Sequence, residues 1–154
     1  MMENSSGTIT IDASLTTYFT VMPKDCNYMY PIIFGGEFMA QMDLAAAMVV
    51  RRALHLSRCN KAVTHKVLDI EFKAAAESGD TLQLVATIVE VRNNSLRVLV
   101  EAYREKLPEV DLQQTPTSDF IASGSFVFVT KKDNSFAPHR LRLENGKVCA
   151  IIQK

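Results

Sequence analysis

The chain has 154 residues, 47% of them hydrophobic and 22% charged, with a formal net charge of zero and a pI near 6.8. This composition is typical of a globular protein, and the length predicts one domain, residues 1–154, with a substantial core. The neutral charge balance argues against general binding to nucleic acid or to a membrane surface. Cys26, Cys59 and Cys149 lack the spacing of a disulfide framework or a zinc site, so we expect reduced thiols, no metal and a cytoplasmic protein.

The N-terminal part of the chain is polar, and we expect residues 1–10 to be flexible. It has neither the basic nor the apolar region of a secretory signal, and no apolar run in the chain reaches membrane-spanning length. Residues 14–22 are rich in β-branched and aromatic side chains and predict a strand. The loop that follows is bounded by Pro23 and Pro31.

The stretch 31–54, PIIFGGEFMAQMDLAAAMVVRRAL, predicts a helix of about five turns. Gly35 and Gly36 end the preceding segment, and good helix formers follow without Gly or Pro up to Gly79. Only Gln41 and Asp43 are polar between Phe38 and Val50. Because a helix that is apolar nearly all round is normally buried, we expect this helix at the centre of the fold.

Asp43 is the anomaly of this helix. Burying an unpaired carboxylate costs several kcal/mol, so such groups normally have a partner. The neighbours three and four positions away on the helix, Met39, Ala40, Ala46 and Ala47, cannot neutralise it. Two interpretations stay open at this point: a partner from elsewhere in the fold, or a carboxylate kept for function.

The rest of the chain alternates strands and turns. Strands are predicted over 63–74, 81–92, 95–105 and 119–130. Asn93-Asn94 predicts a tight hairpin, since Asn tolerates positive φ. Residues 107–119 predict a long loop, and the tail 131–154 cannot be assigned from its pattern.

One long helix with four or five long antiparallel strands predicts an α+β fold in which the sheet wraps around the helix. Segment 81–92 is apolar on both faces, which suggests that the outer face of the sheet is covered as well. A single helix on the inner face cannot provide that cover. A partner subunit can, so we expect a homodimer.

Several short segments carry a family resemblance. In chain order they are MPKDCN (22–27), FGGEFMAQMD (34–43), AVT (62–64), IEF (70–72), SGD (78–80), Ser95 and FVFV (126–129). With them the chain resembles the acyl-CoA hydrolase family of hotdog-fold acyl-CoA thioesterases. The Phe-Gly-Gly…Met-Asp segment is the most specific part of the match.

The resemblance implies a hotdog fold and hydrolysis of a fatty acyl-CoA to free acid and CoA, without a cofactor, in lipid metabolism. In this family the helix carboxylate, here Asp43, acts as general base or nucleophile. The loop asparagine, here Asn27, helps to orient water or the thioester. Backbone amides at Gly35 and Gly36 polarise the carbonyl. Further substrate contacts are expected from Phe34, Met39, Thr64 and Ser95, although Met39 can equally be core filler.

Helix geometry adds an inference of its own. Gly35 and Asp43 are eight residues apart, so if both are helical they lie roughly 12 Å apart along the axis. One thioester carbonyl cannot contact both. We therefore expect the site to join the helix start of one subunit to Asp43 of its dimer mate. The family often assembles three dimers into a hexamer, which no residue here requires.

The phosphates of CoA need positive charge. The basic candidates are Lys61, Arg92, Arg97, Lys131, Lys132, His139, Arg140 and Arg142. The segment from Lys131 to Arg142 has five basic residues and one acid. It points to Lys131, Lys132 and Arg140 as phosphate ligands, although any one of them can also be a solvated surface charge.

Two other functions stay open. A non-catalytic acyl-CoA-binding hotdog domain is one, because Tyr30 stands where the family usually has Gly. A hotdog hydratase or dehydratase is the other, and it needs a His beside the carboxylate. The nearest candidate, His55, lies twelve residues past Asp43 and far along the helix.

Overall fold

The computed structural model describes residues 9–106 and 117–151. Its elements in chain order are β1 (Thr10–Asp12), β2 (Ser14–Thr20), a 3-10 helix (Pro23–Asp25), α1 (Gly35–Leu54), β3 (Lys61–Phe72), β4 (Thr81–Arg92), β5 (Ser95–Lys106), β6 (Thr117–Lys132), β7 (Ser135–Phe136), β8 (Leu141–Glu144) and β9 (Lys147–Ala150). The expectations for residues 1–8 and most of the predicted loop 107–119 lie outside the described residues.

The main layer is an antiparallel sheet with the strand order β2-β4-β5-β6-β3, to which β7 is added at the end of β6. One face of the sheet packs against α1 through buried residues of alternating sequence position, such as Leu82, Leu84 and Ala86 of β4. The predicted helix and the five predicted strands are therefore confirmed, and so is the sheet that wraps around one helix. Residues in alternate positions face outward and are partly exposed.

The helix buries one face. Its buried residues recur at helical spacing: Phe38, Met42, Ala45, Ala46, Val49, Val50 and Ala53. The opposite face is exposed, with Leu44 at 55% and Met48 at 45% of full exposure. The prediction of a helix buried all round is therefore wrong for the single chain, because one sheet covers one side only. An exposed apolar stripe of this kind favours contact with another protein surface.

The β4–β5 hairpin has the predicted two-residue turn at Asn93-Asn94, with Arg92 opposite Ser95. The reason given for it is wrong, since neither asparagine has a positive φ. Hydrogen bonds from residues outside the hairpin hold the turn instead. The carbonyl of Asn93 accepts the His139 amide at 3.1 Å, and the carbonyl of Asn94 accepts the Thr130 amide at 2.9 Å.

The C-terminal segment, left unassigned from its pattern, forms a second sheet with the order β1-β9-β8. Thr10, at the end of the segment expected to be flexible, begins β1 and pairs with Cys149. The β8–β9 turn has Asn145 at φ 50° and Gly146 at φ 72°. Asn-Gly is the strongest short hairpin signal, so this turn could have been recognised from the sequence.

The edge strand β3 is the most exposed long strand of the sheet. It pairs with β6 on one side, and the described residues provide no strand on its other side. The pairing of β3 with β6 shifts register at two places along β3, first between Thr64 and Lys66 and then between Leu68 and Glu71. Asp69, at the second place, has φ 53°. Such bulges twist a strand and change which side chains face the helix. Across the two described ranges, no helix is long and apolar enough to cross a bilayer.

Candidate active site

The start of α1 presents open backbone donors. Phe34 is the N-cap residue, with φ −66° and ψ 133°, and none of the described side chains caps the helix. The first bond of the helix runs from the Phe38 amide to the Phe34 carbonyl at 3.0 Å. Within the described part of the chain, the amides of Gly35, Gly36 and Glu37 have no hydrogen-bond acceptor. They form a donor site at the positive end of the helix dipole.

The loop before the helix fixes this start in place. The Phe34 amide donates to the Asp25 carbonyl at 2.9 Å, and the Ile33 amide donates to the Ala76 carbonyl at 2.8 Å. Asp25 is buried, and its carboxylate accepts the Met22 amide at 2.9 Å. The helix start is thus tied both to the 3-10 helix and to the segment after β3.

Asn27 lies in the same loop and is exposed. Its side-chain oxygen accepts the Met29 amide at 3.0 Å, and its own amide donates to the Ile32 carbonyl at 2.8 Å. The tip of the loop is open to solvent, with Tyr28 at 96% and Tyr30 at 57% of full exposure. The turn therefore uses one of the two acceptor positions of the carboxamide oxygen, and the NH₂ group can donate to a ligand.

An apolar groove of about 370 Å³ lies beside Gly35. Ile33, Phe38, Phe72 and the run of alanines 74–76 contribute to its wall. The rings of Phe38 and Phe72 lie 5.2 Å apart between centroids. An apolar chain placed in this groove would have its polar end next to the open amides.

The two glycines differ in what a side chain would meet. A Cβ atom at Gly36 would lie 2.7 Å from Cε1 of Phe34, whereas one at Gly35 would lie 3.8 Å from Cε2 of Phe72. Phe34 is 58% exposed and its ring covers Gly36. Gly36 therefore makes room for the Phe34 ring, and Gly35 keeps the backbone accessible.

Asp43 lies in the middle of α1 and is partly exposed, so the premise of a fully buried carboxylate is wrong for the single chain. Its Oδ1 accepts a hydrogen bond from the Thr64 hydroxyl of β3 at 2.9 Å. Among the described residues, no Lys, Arg or His forms an ion pair with Asp43. Its observed partner is thus a neutral hydroxyl, which leaves the carboxylate its charge and its second oxygen.

The predicted phosphate ligands lie at the other end of the sheet from the helix start. Lys131 pairs with Lys61 at the beginning of β3, whereas Phe72, beside Gly35, ends that strand. A strand of 12 residues is roughly 35 to 40 Å long. Lys131 lies 4.9 Å from the Phe136 ring centroid. Within one chain these lysines are thus nearer to Thr64 and Asp43 than to the open amides.

The remaining candidates occupy different environments. Met39 is 36% exposed on the open face of the helix, and Ser95 begins β5 with its carbonyl near a ring nitrogen of His139. Arg140 follows His139 with φ 56°. Cys26, Cys59 and Cys149 are free thiols. In the ranges that the structure describes, no group of three or more His, Cys, Asp and Glu side chains is arranged to hold a metal.

His139 is not a surface cation, so the prediction that it is a candidate phosphate ligand is wrong. It is 2% exposed, and burial lowers the pKa of its ring, which favours the neutral form. Its Nδ1 accepts the Leu141 amide at 2.9 Å, which makes Nε2 the protonated nitrogen that donates to the Ser95 carbonyl at 3.2 Å. The Ser57 hydroxyl donates to the His139 carbonyl at 2.8 Å.

Known structures share this arrangement of helix and sheet. A hexameric hotdog fold thioesterase of Campylobacter jejuni has 29% sequence identity and a TM-score of 0.66, and the match covers 80% of this chain and 87% of that chain. The fold is therefore a hotdog fold, as the sequence resemblance implied. The family model of the thioesterase superfamily matches residues 30–110, and the chain belongs to this superfamily.

Two curated relatives are described as acyl-CoA thioester hydrolases. An uncharacterised acyl-CoA thioester hydrolase of Zymomonas mobilis is 32% identical over 97 residues, which are 63% of this chain and 58% of that protein. A second protein with this description, from Haemophilus influenzae, is 25% identical over 136 residues, or 86% of this chain and 83% of that protein. The chain thus spans less than two thirds of the first relative and most of the second.

Proposed function

We propose that this chain is an acyl-CoA thioesterase that hydrolyses a fatty acyl-CoA to free acid and CoA. One observation carries the proposal: among the described residues, the amides of Gly35, Gly36 and Glu37 at the start of α1 have no acceptor, and Asp43 on the same helix has no cationic partner. The apolar groove beside Gly35 offers space for an acyl chain. The names of the two relatives supply the substrate class.

The proposed reaction uses both the open amides at the start of α1 and the Asp43 carboxylate. Attack on the thioester carbon places negative charge on the carbonyl oxygen, and the open amides stabilise that charge. Asp43 takes a proton from the attacking water, or its carboxylate attacks and water then hydrolyses the acyl-aspartate. In the first route the water oxygen forms the new C–O bond, the C–S bond breaks, and the thiolate of CoA takes up the proton held by Asp43. In the second route the carboxylate oxygen forms a C–O bond as the C–S bond breaks. Water then attacks the acyl carbon, the bond from this carbon to the carboxylate oxygen breaks, and the proton released by the water goes to the thiolate. Thr64 holds one carboxylate oxygen and leaves the other for this step.

We place the reaction between two subunits. Gly35 and Asp43 belong to one continuous helix of 20 residues, so they lie roughly 12 Å apart along its axis. No strand of the described ranges pairs with the outer edge of β3, where Val63 is 43% and Val67 is 42% exposed. A second copy of the chain satisfies such an edge. A trimer of dimers is the larger assembly that the hexameric relative suggests.

The competing functions make different demands. A hydratase or dehydratase needs a His beside the carboxylate, but His55 is at the C-cap of α1, roughly 18 Å along the helix from Asp43. An acyl-CoA-binding domain would use the same groove without the carboxylate. A cytoplasmic setting belongs to the proposal and is supported by the free thiols of Cys26, Cys59 and Cys149. A role in lipid metabolism also belongs to it and follows from the proposed fatty acyl-CoA substrate.

The first experiment measures release of free thiol from a panel of acyl-CoAs. We expect wild type to be active and both Asp43→Ala and Asp43→Asn to lose most of kcat, because each removes the carboxylate charge. Glu144→Gln removes a carboxylate from an exposed position of β8, away from α1 and from the edge strand β3, and serves as the matched control. A wild type that binds acyl-CoA but releases no thiol would support the binding domain instead.

A second experiment tests the shared site by mixing subunits. Asp43→Ala and Gly35→Pro each remove one half of the proposed site. In a two-subunit site, a random mixture of the two inactive variants has one intact site in each heterodimer, which is about a quarter of wild-type activity. If both halves belong to one chain, refolding the variants together restores no activity.

A further inference from the structure

A groove of about 390 Å³ lies between the C-terminal half of α1 and the start of β3. We call it the distal groove, because the apolar groove beside Gly35 lies at the opposite end of the helix. Most of its wall is apolar and is formed by Ala47, Val50, Leu54, Ala62, Val63 and Phe128. This volume and this lining are typical of sites for small molecules.

The distal groove leads away from the Asp43 carboxylate. Asp43, Ala47 and Arg51 recur at a spacing of four residues and therefore lie on one row of the helix surface. On the facing strand, Lys61 lies three residues before Thr64, whose hydroxyl donates to Asp43 at 2.9 Å. Arg51 is roughly 12 Å from Asp43 along the helix, and Lys61 is roughly 10 Å from Thr64 along the strand. Both cations line the groove, so both lie at its far end.

This far end is positively charged. Arg51 and Lys61 contribute two positive charges, and no Asp or Glu is among the described residues that line the groove. In the described part of the chain, neither cation forms an ion pair. The third polar lining residue, Asn60, already has a partner: its Nδ2 donates to the Asp133 carboxylate at 3.1 Å, and its Oδ1 accepts the Asp133 amide at 2.9 Å. An anion that enters the groove would therefore meet two cations without a competing carboxylate on the wall.

We propose that the distal groove binds acyl groups that end in a carboxylate, so that half-thioesters of dicarboxylic acids are among the substrates. The inference rests on the proposed function, because it places the thioester at Asp43. The methylene chain lies along Ala47 and Val63, and the terminal carboxylate is bound by Arg51 and Lys61. A guanidinium group matches the two oxygens of a carboxylate with parallel hydrogen bonds. A plain alkyl chain would place a methyl group against the same two charges and give them no partner.

The length of the groove limits which dicarboxylic acids fit. Long side chains of a helix lean toward its N-terminus, so the Arg51 guanidinium reaches back toward Asp43 across part of the roughly 12 Å between them. A succinyl group is too short to connect the two residues, whereas a suberoyl group covers the remaining distance. We therefore expect the carboxylate to be recognised in suberoyl-CoA and not in succinyl-CoA.

The test compares kcat/KM in thiol release for suberoyl-CoA and octanoyl-CoA, which have equal carbon numbers and differ in the terminal carboxylate. We expect Arg51→Gln to lower the suberoyl-to-octanoyl ratio about tenfold or more, because charge-assisted hydrogen bonds are lost. The succinyl-to-butyryl ratio should keep its wild-type value. Arg58→Gln removes the same charge from an exposed position outside the groove and should leave both ratios at their wild-type values.

A charge reversal provides a gain of function, which poor folding cannot produce. Arg51→Glu should hydrolyse ω-aminooctanoyl-CoA with a higher kcat/KM than wild type, because the terminal ammonium then meets a carboxylate. An equal suberoyl-to-octanoyl ratio in wild type and Arg51→Gln would overturn the proposal. A KM that rises by the same factor for both thioesters would overturn it too, since Arg51 would then serve the part of CoA that they share.

Failure of the proposed function can be told apart from failure of this inference. If wild type hydrolyses neither thioester, the proposed enzyme activity is wrong, and both ligands remain intact for calorimetric titration. Tighter binding of suberoyl-CoA than of octanoyl-CoA, with the difference lost in Arg51→Gln, would still support carboxylate recognition by the distal groove. Equal affinities of wild type for the two ligands would overturn it.

Discussion

Replacing Gly35 by proline removes one proposed oxyanion donor and little else. Gly35 is the first residue of α1, where the amide has no intrahelical acceptor and proline is favoured. Proline also restricts the preceding residue to extended conformations, and Phe34 already has φ −66° and ψ 133°. The substitution should therefore keep the helix and delete only the N–H group.

The expected magnitude follows from the three open amides at Gly35, Gly36 and Glu37. Loss of one oxyanion donor typically lowers kcat about 10²- to 10³-fold, equivalent to about 2.7–4 kcal/mol of transition-state stabilisation. Stability should stay equal or rise by about 0.4–1 kcal/mol, because proline limits the unfolded chain. The variant is thus predicted to be as stable as wild type and nearly inactive.

Thiol release under saturating acyl-CoA measures kcat, and thermal unfolding checks the fold. Gly35→Ala is the matched control, because it keeps the N–H group and its Cβ would make an ordinary 3.8 Å contact with Phe72. We expect it to retain most of kcat. A folded Gly35→Pro variant with the kcat of Gly35→Ala would refute the role of this amide.

Three further predictions concern stability. Burial lowers the pKa of His139 below its usual 6.5. The stability that the neutral ring contributes is therefore complete above pH 6.5 and is lost as the pH falls through the lowered value. Urea unfolding between pH 8 and 5 should show this loss in wild type and in His65→Gln but not in His139→Gln. Gly124→Ala should cost about 1–3 kcal/mol in denaturant unfolding, because its Cβ would lie 2.8 Å from Ile70, and unchanged stability would contradict this packing. Gly146→Ala, at φ 72° and with no described atom within 4 Å of the added Cβ, should cost about 1–2 kcal/mol through backbone strain alone, whereas Gly146→Asn should cost less.

Local patterns were sufficient for most of the fold. The helix formers after Gly36 and the period-two strands predicted α1 and β2–β6, because these signals depend on neighbours in the sequence. The β8–β9 hairpin was missed although Asn145-Gly146 marks it. The Asn93-Asn94 turn was placed correctly for a wrong reason, since its conformation depends on hydrogen bonds from His139 and Thr130.

For the candidate site, too, the local features could be predicted from the sequence and the contacts between distant residues could not. The sequence alone placed open amides at Gly35 and Gly36 and a carboxylate at Asp43 on one helix, because the positions of helix ends and helical spacing are local properties. It could not place Thr64, 21 residues further along, against that carboxylate. Nor could it bury His139 or bring Arg97 and Glu90 together on the outer face of the sheet. Those contacts depend on how distant strands pair and on which helix face the sheet covers, and only the tertiary structure decides both.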